Sequence, residues 1–308
     1  ITGSNYHAYV KLSEGCNQSC SFCAIPSFKG KLHSRTLESL VKEVTNLVKK
    51  GFKDFSFVSQ DSSSYLRDLG HNDGLEQLID AVEKIDGVKT ARILYLYPST
   101  TTHNLIDKIA DSKVFVNYFD MPLQHISQNM LKIMKRGKGA EKLIELMNYM
   151  RSKPNSFVRT TFIAGHPGES EDDFEELCSF VEEFGFDRGN VFSYSDEEGT
   201  SAETRDDKIE QELIDERAEI LGDIISQTTI KSLENDIGKS FEVYIDGESE
   251  EHEYLLSARK TIWAPQIDGE IYINDNEDNI PIVFGEIYEV EATQLAGDKL
   301  LAKIIRKV

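Results

Sequence analysis

The chain has 308 residues, of which 39% are hydrophobic and 29% are charged. This composition is typical of a soluble globular protein with a sizeable core, and the length suggests about two domains. The sequence contains no run of about 18 apolar residues and no basic-then-apolar leader, so we expect no transmembrane helix, no membrane partner and a cytoplasmic location. The formal net charge is −20, from 34 Lys and Arg against 54 Asp and Glu. Such a charge disfavours generic binding to nucleic acid and favours a basic partner.

Short β-rich runs alternate with longer helical patterns between residues 8 and 205. We predict strands at Ala8–Leu12, Phe55–Gln60, Ala91–Tyr97, Val114–Leu123, Val158–His166 and Asn190–Ser195. Between them, apolar residues recur every three or four positions, which is typical of one buried helix face. Six strand–helix repeats predict an α/β fold with parallel pairing. Six strands are fewer than the eight of a closed barrel, which leaves an open partial barrel or a doubly wound sheet. In either fold, the loops after the strands form the active face.

A different pattern begins near residue 207. The apolar pattern of Lys208–Asn235 predicts one long helix over about residues 207–236. Gly238 then marks the boundary between two domains. The predicted strands beyond it are Phe241–Ile245, Tyr254–Ala258, Glu270–Ile273, Glu286–Gln294 and Lys299–Ile305. Five short strands in about 70 residues predict a small antiparallel β-barrel. We therefore predict two domains, residues 1–237 and 238–308.

Three cysteines, Cys16, Cys20 and Cys23, follow the first predicted strand with the spacing C-x-x-x-C-x-x-C. Three thiolates on one short loop can hold three irons of a 4Fe–4S cluster and leave the fourth iron open to a small molecule. A zinc site with His33 as the fourth ligand is one alternative, although structural zinc sites usually draw their ligands from two spaced pairs. A loop of unligated thiols is another. The remaining cysteine, Cys178, is predicted to be a small hydrophobe on a helix.

The order Cys-x-x-x-Cys-x-aromatic-Cys, with Phe22 as the aromatic residue, resembles the radical S-adenosylmethionine (SAM) superfamily. Further positions are similar to the methylthiotransferase family in particular: Glu14-Gly15-Cys16-Asn17, Phe22-Cys23-x-Ile25-Pro26, Gly30 and Ser34-Arg35. The resemblance implies an open six-strand partial TIM barrel followed by a small OB-like barrel called TRAM. It also implies that Cys16, Cys20 and Cys23 hold a 4Fe–4S cluster. SAM would chelate the open iron and be cleaved reductively to a 5′-deoxyadenosyl radical.

The same resemblance implies contacts between the cofactor and the loops after the strands. The residues expected to contact it are Phe22, Gln60, Gln124, Arg159, Ile163 and Gly165. Among these, Arg159 is expected to pair with the carboxylate of SAM. An ordinary strand-to-helix turn explains Gly165 equally well, and a solvated strand-end charge explains Arg159. No side chain is expected to act as an acid or base, because the cofactor carries the difficult chemistry.

Two branches of the family resemble this chain. One modifies an aspartate β-carbon of the small-subunit ribosomal protein uS12, and the other modifies an adenosine in tRNA. Gln124-His125-Ile126-Ser127 differs from the Gln-Ser-Gly-Ser usual in the tRNA branch, and 186–199 and 264–269 resemble the ribosomal-protein branch. Residues 238–308 contain seven Lys or Arg and fifteen Asp or Glu, a net charge of −8, whereas a barrel that grips RNA should be basic.

We therefore predict methylthiolation of uS12, a basic protein that would bind through the acidic barrel. A tRNA adenosine methylthiotransferase is the alternative enzyme, and a zinc-stabilised protein-binding module is the alternative outside enzymes. The resemblance also implies an electron donor and an upstream domain with a second cluster for sulfur delivery. We accordingly expect one cluster in residues 1–308, which would allow cleavage of SAM but not complete sulfur insertion.

Overall fold

The computed structural model describes residues 4–276 and 278–308. The strands of the larger domain are β1 (His7–Lys11), β2 (Ser13–Glu14), β3 (His33–Ser34), β4 (Asp54–Val58), β5 (Thr90–Ile93), β6 (Phe115–Asp120), β7 (Phe157–Ala164) and β8 (Arg188–Ser193). Its helices are α1 (Ile25–Lys29), α2 (Leu37–Val48), α3 (Gly74–Val82), α4 (His103–Ala110), α5 (Gln128–Ile133), α6 (Ala140–Arg151), α7 (Glu171–Phe184) and α8 (Gln211–Glu234).

Six of these strands form one parallel sheet in the order β1-β4-β5-β6-β7-β8. Because the spatial order follows the chain order, each crossover places its helix on the same side and the sheet curves into a half-barrel. The sheet stays open, with β1 at one edge and β8 at the other. This confirms the predicted partial barrel and excludes a doubly wound sheet, whose strand order would reverse at a switch point.

The crossover helices form because their apolar residues share one face. In α2, Leu40, Val44 and Leu47 are buried at spacings of three and four residues, and the Thr36 hydroxyl caps the helix by accepting from the Ser39 amide. The residues of this face join a continuous core with the outward side chains of the sheet, such as Val10 on β1. The core therefore lies between sheet and helices, and the loops after the strands are free to form a site.

The second domain is a closed five-stranded barrel in the order β10-β11-β13-β12-β9. Its strands are β9 (Ser240–Glu248), β10 (Leu256–Lys260), β11 (Ile271–Asp275), β12 (Ile287–Ala296) and β13 (Lys299–Lys307). The predicted all-antiparallel pairing needs one correction, because β11 and β13 are parallel. A ring with an odd number of strands cannot alternate direction all the way round, so one parallel pair is unavoidable.

Buried ion pairs fix the barrel near the N-terminal ends of the sheet strands. Asp54 of β4 accepts hydrogen bonds from Arg92 of β5 and from Arg259 of β10, each at 2.7 Å. All three side chains are almost completely buried. Removing one member would leave an uncompensated buried charge, at a cost of about 3–5 kcal/mol. These ion pairs lie away from the loops at the opposite ends of the strands. Within the described residues, no helix has the length and apolar character needed to cross a membrane.

Candidate functional site

The cysteine loop connects β2 to α1 and is closed by local contacts. Cys16 donates its amide to the carbonyl of Gly30 at 3.2 Å, and the Asn17 side chain accepts from the amide of Leu32 at 3.0 Å. Gly15 has a φ of +75°, and a Cβ there would lie 2.6 Å from the Gly30 carbonyl oxygen. The motif positions around the cysteines are therefore those that fold the loop back on itself.

The middle of this loop is anchored at Ser21 by three other segments. Its amide donates to the carbonyl of Met134 at 3.1 Å, and its carbonyl accepts from the amide of Ala202 at 2.9 Å. Its hydroxyl lies 2.9 Å from Nε2 of His166, just after β7. Because Ser21 sits between Cys20 and Cys23, these contacts hold in place the backbone that carries both cysteines.

Cys16, Cys20 and Cys23 all line one cavity of about 310 Å³ at the C-terminal edge of the sheet. The other lining residues are Gln18, Phe22, Ile25, Pro26, Gln60, Tyr95, Leu96, Tyr97, Pro122, Gln124, Arg136, Arg159, Thr161, Asn190 and Phe192. The volume suits a small-molecule ligand. Of the six residues predicted to contact a cofactor, the cavity thus brings together Phe22, Gln60, Gln124 and Arg159.

The thiols are free, and three thiolates on one loop are a donor set that fits an iron–sulfur cluster. In the described ranges 4–276 and 278–308, no three His, Cys, Asp or Glu side chains converge closely enough to bind one ion. His33, the proposed fourth zinc ligand, is exposed on β3. A 4Fe–4S cluster distributes its thiolates over separate irons, so it does not need them to meet at one atom. Burial raises the pKa of Cys16 to about 11 and also raises the pKa of Cys23, so binding of iron would release protons.

Two glutamines give the cavity unused hydrogen-bonding capacity. The Oε1 atoms of Gln60 and Gln124 are buried without a hydrogen-bond partner among the described residues. Gln124 also has a φ of +72°, a conformation that non-glycine residues adopt rarely and mostly where function or packing imposes it. Buried polar atoms are nearly always paired in folded proteins, so these two oxygens point to a ligand with donor groups.

Arg136 is a cavity residue that the sequence reasoning missed. Its Nη1 lies 3.3 Å from Sγ of Cys20, and its guanidinium lies 4.5 Å from the centre of the Tyr97 ring. The side chain is 5% exposed. Its neighbours in sequence, Lys135 and Gly137, have positive φ and form an ordinary basic turn, so nothing in the local pattern signalled a buried cation beside a thiol.

Arg159 lines the cavity but already has acidic partners. Its Nη1 lies 3.0 Å from Asp120, and its Nε lies 3.4 Å from Asp268 of the barrel. Its expected pairing with a cofactor carboxylate stays a prediction, in competition with these two carboxylates.

Ile163 and Gly165 lie at the end of β7 but are not among the residues that line the cavity. Gly165 has a φ of +80°, and a Cβ there would lie 2.5 Å from Ile214 of α8. Its lack of a side chain is thus explained by close helix packing, and its contact with a cofactor stays a prediction. Cys178 lies on α7, where it is half-buried against the core.

Comparison with known proteins agrees with this geometry. Residues 10–181 match the family model of the radical SAM superfamily, and residues 237–305 match that of the TRAM domain. The ribosomal protein uS12 methylthiotransferase RimO of Aliarcobacter butzleri is 79% identical over 99% of this chain and 69% of its own length. The RimO proteins of Sulfurovum sp. and Campylobacter jejuni are 62% and 55% identical over the whole chain and 70% of their own lengths.

Among solved structures, the coproporphyrinogen III oxidase HemN of Escherichia coli superposes with a TM-score of 0.57 at 16% identity. The match covers 73% of this chain and 53% of HemN, and at this identity it supports the fold alone. Together, the two domain matches and the high identity of full-chain relatives confirm the predicted fold class and an enzyme of the transferase class. The chain therefore belongs to the radical SAM superfamily and, within it, to the RimO family of methylthiotransferases.

Proposed function

We propose that Cys16, Cys20 and Cys23 hold one 4Fe–4S cluster, that SAM binds in the cavity beside it, and that the acceptor is an aspartate β-carbon of uS12. The observation that supports this most directly is the convergence of three free thiols on one cavity of ligand size. When bound, the cluster would supply the electron that cleaves SAM to a 5′-deoxyadenosyl radical, which removes a hydrogen from the acceptor carbon.

The protein's own residues would bind and shield rather than transfer protons. The orphaned oxygens of Gln60 and Gln124 would accept from hydroxyl or amino groups of SAM. Phe22 and Leu96 supply apolar wall, which keeps water from a reactive radical. Phe192, 59% exposed, lies where the cavity meets solvent and offers an aromatic contact to an incoming protein loop.

The choice of uS12 over tRNA rests on the relatives, which carry the name of the uS12 enzyme, and on charge. The barrel domain is acidic, and the hairpin segment from Glu248 to Glu253 is largely exposed. An acidic surface attracts a lysine- and arginine-rich protein and repels an RNA backbone, mainly through the association rate. The electron donor, the cytoplasmic location and the boundary between residues 237 and 238 stay predictions.

Metal analysis after anaerobic reconstitution tests the cluster. We expect about four irons and four sulfides per chain, with the broad visible absorption of a 4Fe–4S cluster. The Cys16→Ala protein should lack this visible absorption, whereas the Cys178→Ala protein, the matched control on α7, should retain it. A single zinc without visible absorption would instead support the protein-binding module, and about eight irons would contradict a single cluster.

The acceptor can be tested by direct binding of the same chain to purified uS12 and to tRNA. Binding to uS12 should weaken as salt rises and when the exposed Glu250 and Glu253 are both changed to Lys. The control changes the exposed Lys49 and Lys50, which follow α2 and lie outside the segment from Glu248 to Glu253, to Gln; it leaves the acidic segment intact and should not weaken binding. Binding to tRNA with no binding to uS12 would favour the tRNA branch.

A further inference from the structure

The barrel sends one loop across the open side of the half-barrel. This loop, residues 264–269, is part of the connection between β10 and β11. The hydroxyl of Tyr9 on β1 donates to the carbonyl of Pro265 at 2.7 Å, and Nε of Arg188 on β8 donates to the carbonyl of Asp268 at 2.6 Å. Since β1 and β8 are the two free edges of the sheet, the loop bridges the gap that the missing barrel strands leave.

Asp268 is the charged residue of this loop, and it faces inward. Its side chain is completely buried, and Oδ2 accepts from the amide of Ala264 at 2.7 Å, which closes the loop. The other oxygen, Oδ1, lies 3.4 Å from Nε of Arg159 on β7. One carboxylate thus does two things: it shapes a loop of the TRAM domain, and it contacts a residue of the SAM cavity.

The contact continues from Arg159 to a second cavity residue. Nη1 of Arg159 donates to Oδ1 of Asp120 at 3.0 Å, and Oδ2 of Asp120 accepts from the amide of Tyr95 at 3.1 Å. Asp120 is completely buried, and Tyr95 is held at a φ of +60°. Arg159 and Tyr95 both line the cavity. Two carboxylates and one guanidinium therefore join the TRAM loop to the wall of the cofactor cavity.

We propose that Asp268 is a positioning residue for SAM: it holds Arg159 on the cavity wall, so that docking of the TRAM domain sets the shape of the cofactor site. This rests on the proposed function, in which SAM occupies that cavity. A guanidinium with five donors keeps a fixed orientation only when its fork is held by acceptors. Asn190 of β8 accepts from Nη2 of Arg159 at 2.7 Å when its side-chain oxygen faces the guanidinium. Without Asp268, Asp120 and Asn190 still hold Nη1 and Nη2, but Nε loses the carboxylate that faces it at 3.4 Å. The guanidinium can then tilt, which displaces Arg159 and the Asp120 contact to Tyr95.

The change Asp268→Asn isolates this role. Asparagine has the shape of aspartate and can still accept from the Ala264 amide, so the loop keeps its closing hydrogen bond, whereas the charge facing Arg159 is lost. Glu286→Gln is the matched control: it neutralises another acid that joins the two domains, through Lys53 at 2.5 Å, but it does not reach the cavity. Arg159→Lys, which keeps the charge but not the fork, is the second variant.

Trp263 provides a readout of domain docking that does not depend on the cofactor. It is the only tryptophan of the chain and is 1% exposed, next to the loop and beneath the guanidinium of Arg188. Its emission in the protein before reconstitution reports whether the loop is still docked. Equilibrium binding of radiolabelled SAM to the reconstituted protein then reports the cavity.

We expect Asp268→Asn and Arg159→Lys each to weaken SAM binding on the order of tenfold, which is a common effect of changing the residues that orient a binding site. The emission of Trp263 should stay unchanged in both variants. Glu286→Gln should leave both unchanged. SAM affinity equal to wild type in Asp268→Asn overturns the inference. So does a red shift of Trp263 that accompanies the loss, because Asp268 would then only hold the domains together. Wild-type protein that reconstitutes no cluster or binds no SAM would instead contradict the proposed function itself, and the inference with it.

Discussion

His166 accepts a hydrogen bond from the hydroxyl of Ser21, with Nε2 and Oγ 2.9 Å apart in a fully buried contact. The other ring nitrogen, Nδ1, lies 2.9 Å from the carbonyl oxygen of Pro167. A carbonyl can only accept, so Nδ1 carries the proton and Nε2 is the acceptor. Burial lowers the pKa of His166 to about 4, which keeps the ring neutral at pH 7. The cysteine loop is therefore held by a neutral histidine from the far side of the half-barrel.

Ser21→Ala should destabilise the protein, because Nε2 of His166 would remain buried without a donor. We expect a loss of about 1–3 kcal/mol in the free energy of unfolding, measured by urea denaturation of the protein before reconstitution. Ser27→Ala is the control, since Ser27 is exposed on α1, and it should change the free energy by less than about 0.5 kcal/mol. Equal effects of the two changes would show that the contact with His166 contributes nothing to stability.

The same histidine should make the protein sensitive to mild acid. A histidine whose pKa is lower in the folded state binds its proton preferentially in the unfolded state, so its stabilisation is present above pH 6.5 and is lost as the pH falls toward 4. Burial likewise lowers the pKa of His7 to about 3. Each of the two should contribute a slope of up to about 1.4 kcal/mol per pH unit between pH 6.5 and 4.

Urea denaturation at a series of pH values measures that slope. His166→Gln should reduce the slope of the unfolding free energy against pH by the contribution of one histidine. His71→Gln, at an exposed loop position, is the control and should leave the slope unchanged. If stability is flat from pH 7 to pH 5 in the wild type, the buried neutral histidines cannot be the cause of any acid sensitivity seen below pH 5.

The number and the parallel direction of the sheet strands could be predicted from local periodicity and from the handedness of crossovers. Their order, which separates a partial barrel from a doubly wound sheet, was implied by the family resemblance alone. The positions at which the strands end could not be predicted from sequence. The third and fourth predicted strands extended to Tyr97 and Leu123, whereas β5 and β6 end at Ile93 and Asp120. β-rich composition continues past these ends, but the chain turns into the site loops, where Tyr95 and Gln124 take positive φ.

In the candidate site, too, some residues could be predicted from sequence and others could not. The cysteines could be found from sequence because the three proposed cluster ligands lie within eight residues of one another. Arg136 and His166 reach the cysteine loop from positions more than 100 residues away, and only the folded half-barrel brings them together. Spacing carries no information about such contacts, which depend on the register of neighbouring strands and on loop packing.

Gly165→Ala tests whether that glycine serves packing or the cofactor. The substituted Cβ would meet Ile214 at 2.5 Å in a left-handed conformation, so we expect a loss of at least about 2 kcal/mol in the free energy of unfolding. Gly185→Ala is the matched control: it has a φ of +67° with open space around it, and should lose only the strain, about 1 kcal/mol. A Gly165→Ala protein of unchanged stability that loses SAM affinity would support the cofactor contact predicted from sequence.

Arg136 should tune the reduction potential of the cluster that Cys20 would hold. A reduced cluster carries one more negative charge than an oxidised one, so a buried cation that donates to the Cys20 sulfur favours reduction. Arg136→Gln should therefore make the potential more negative. If the hydrogen bond to charged sulfur is worth about 1.5 kcal/mol, the shift is roughly 60 mV for one electron. A redox titration followed by electron paramagnetic resonance measures it.

The controls separate charge from geometry. Arg136→Lys keeps the cation but loses the fork that also reaches the Pro122 carbonyl, so it should give a smaller shift in the same direction. Lys135→Gln removes an exposed cation from the adjacent position and should leave the potential unchanged, because solvent screens its charge. A normal potential in Arg136→Gln combined with weaker SAM binding would mean that the guanidinium acts on the ligand and not on the sulfur. The short distance to Cys20 would then be a contact that SAM displaces when it enters the cavity.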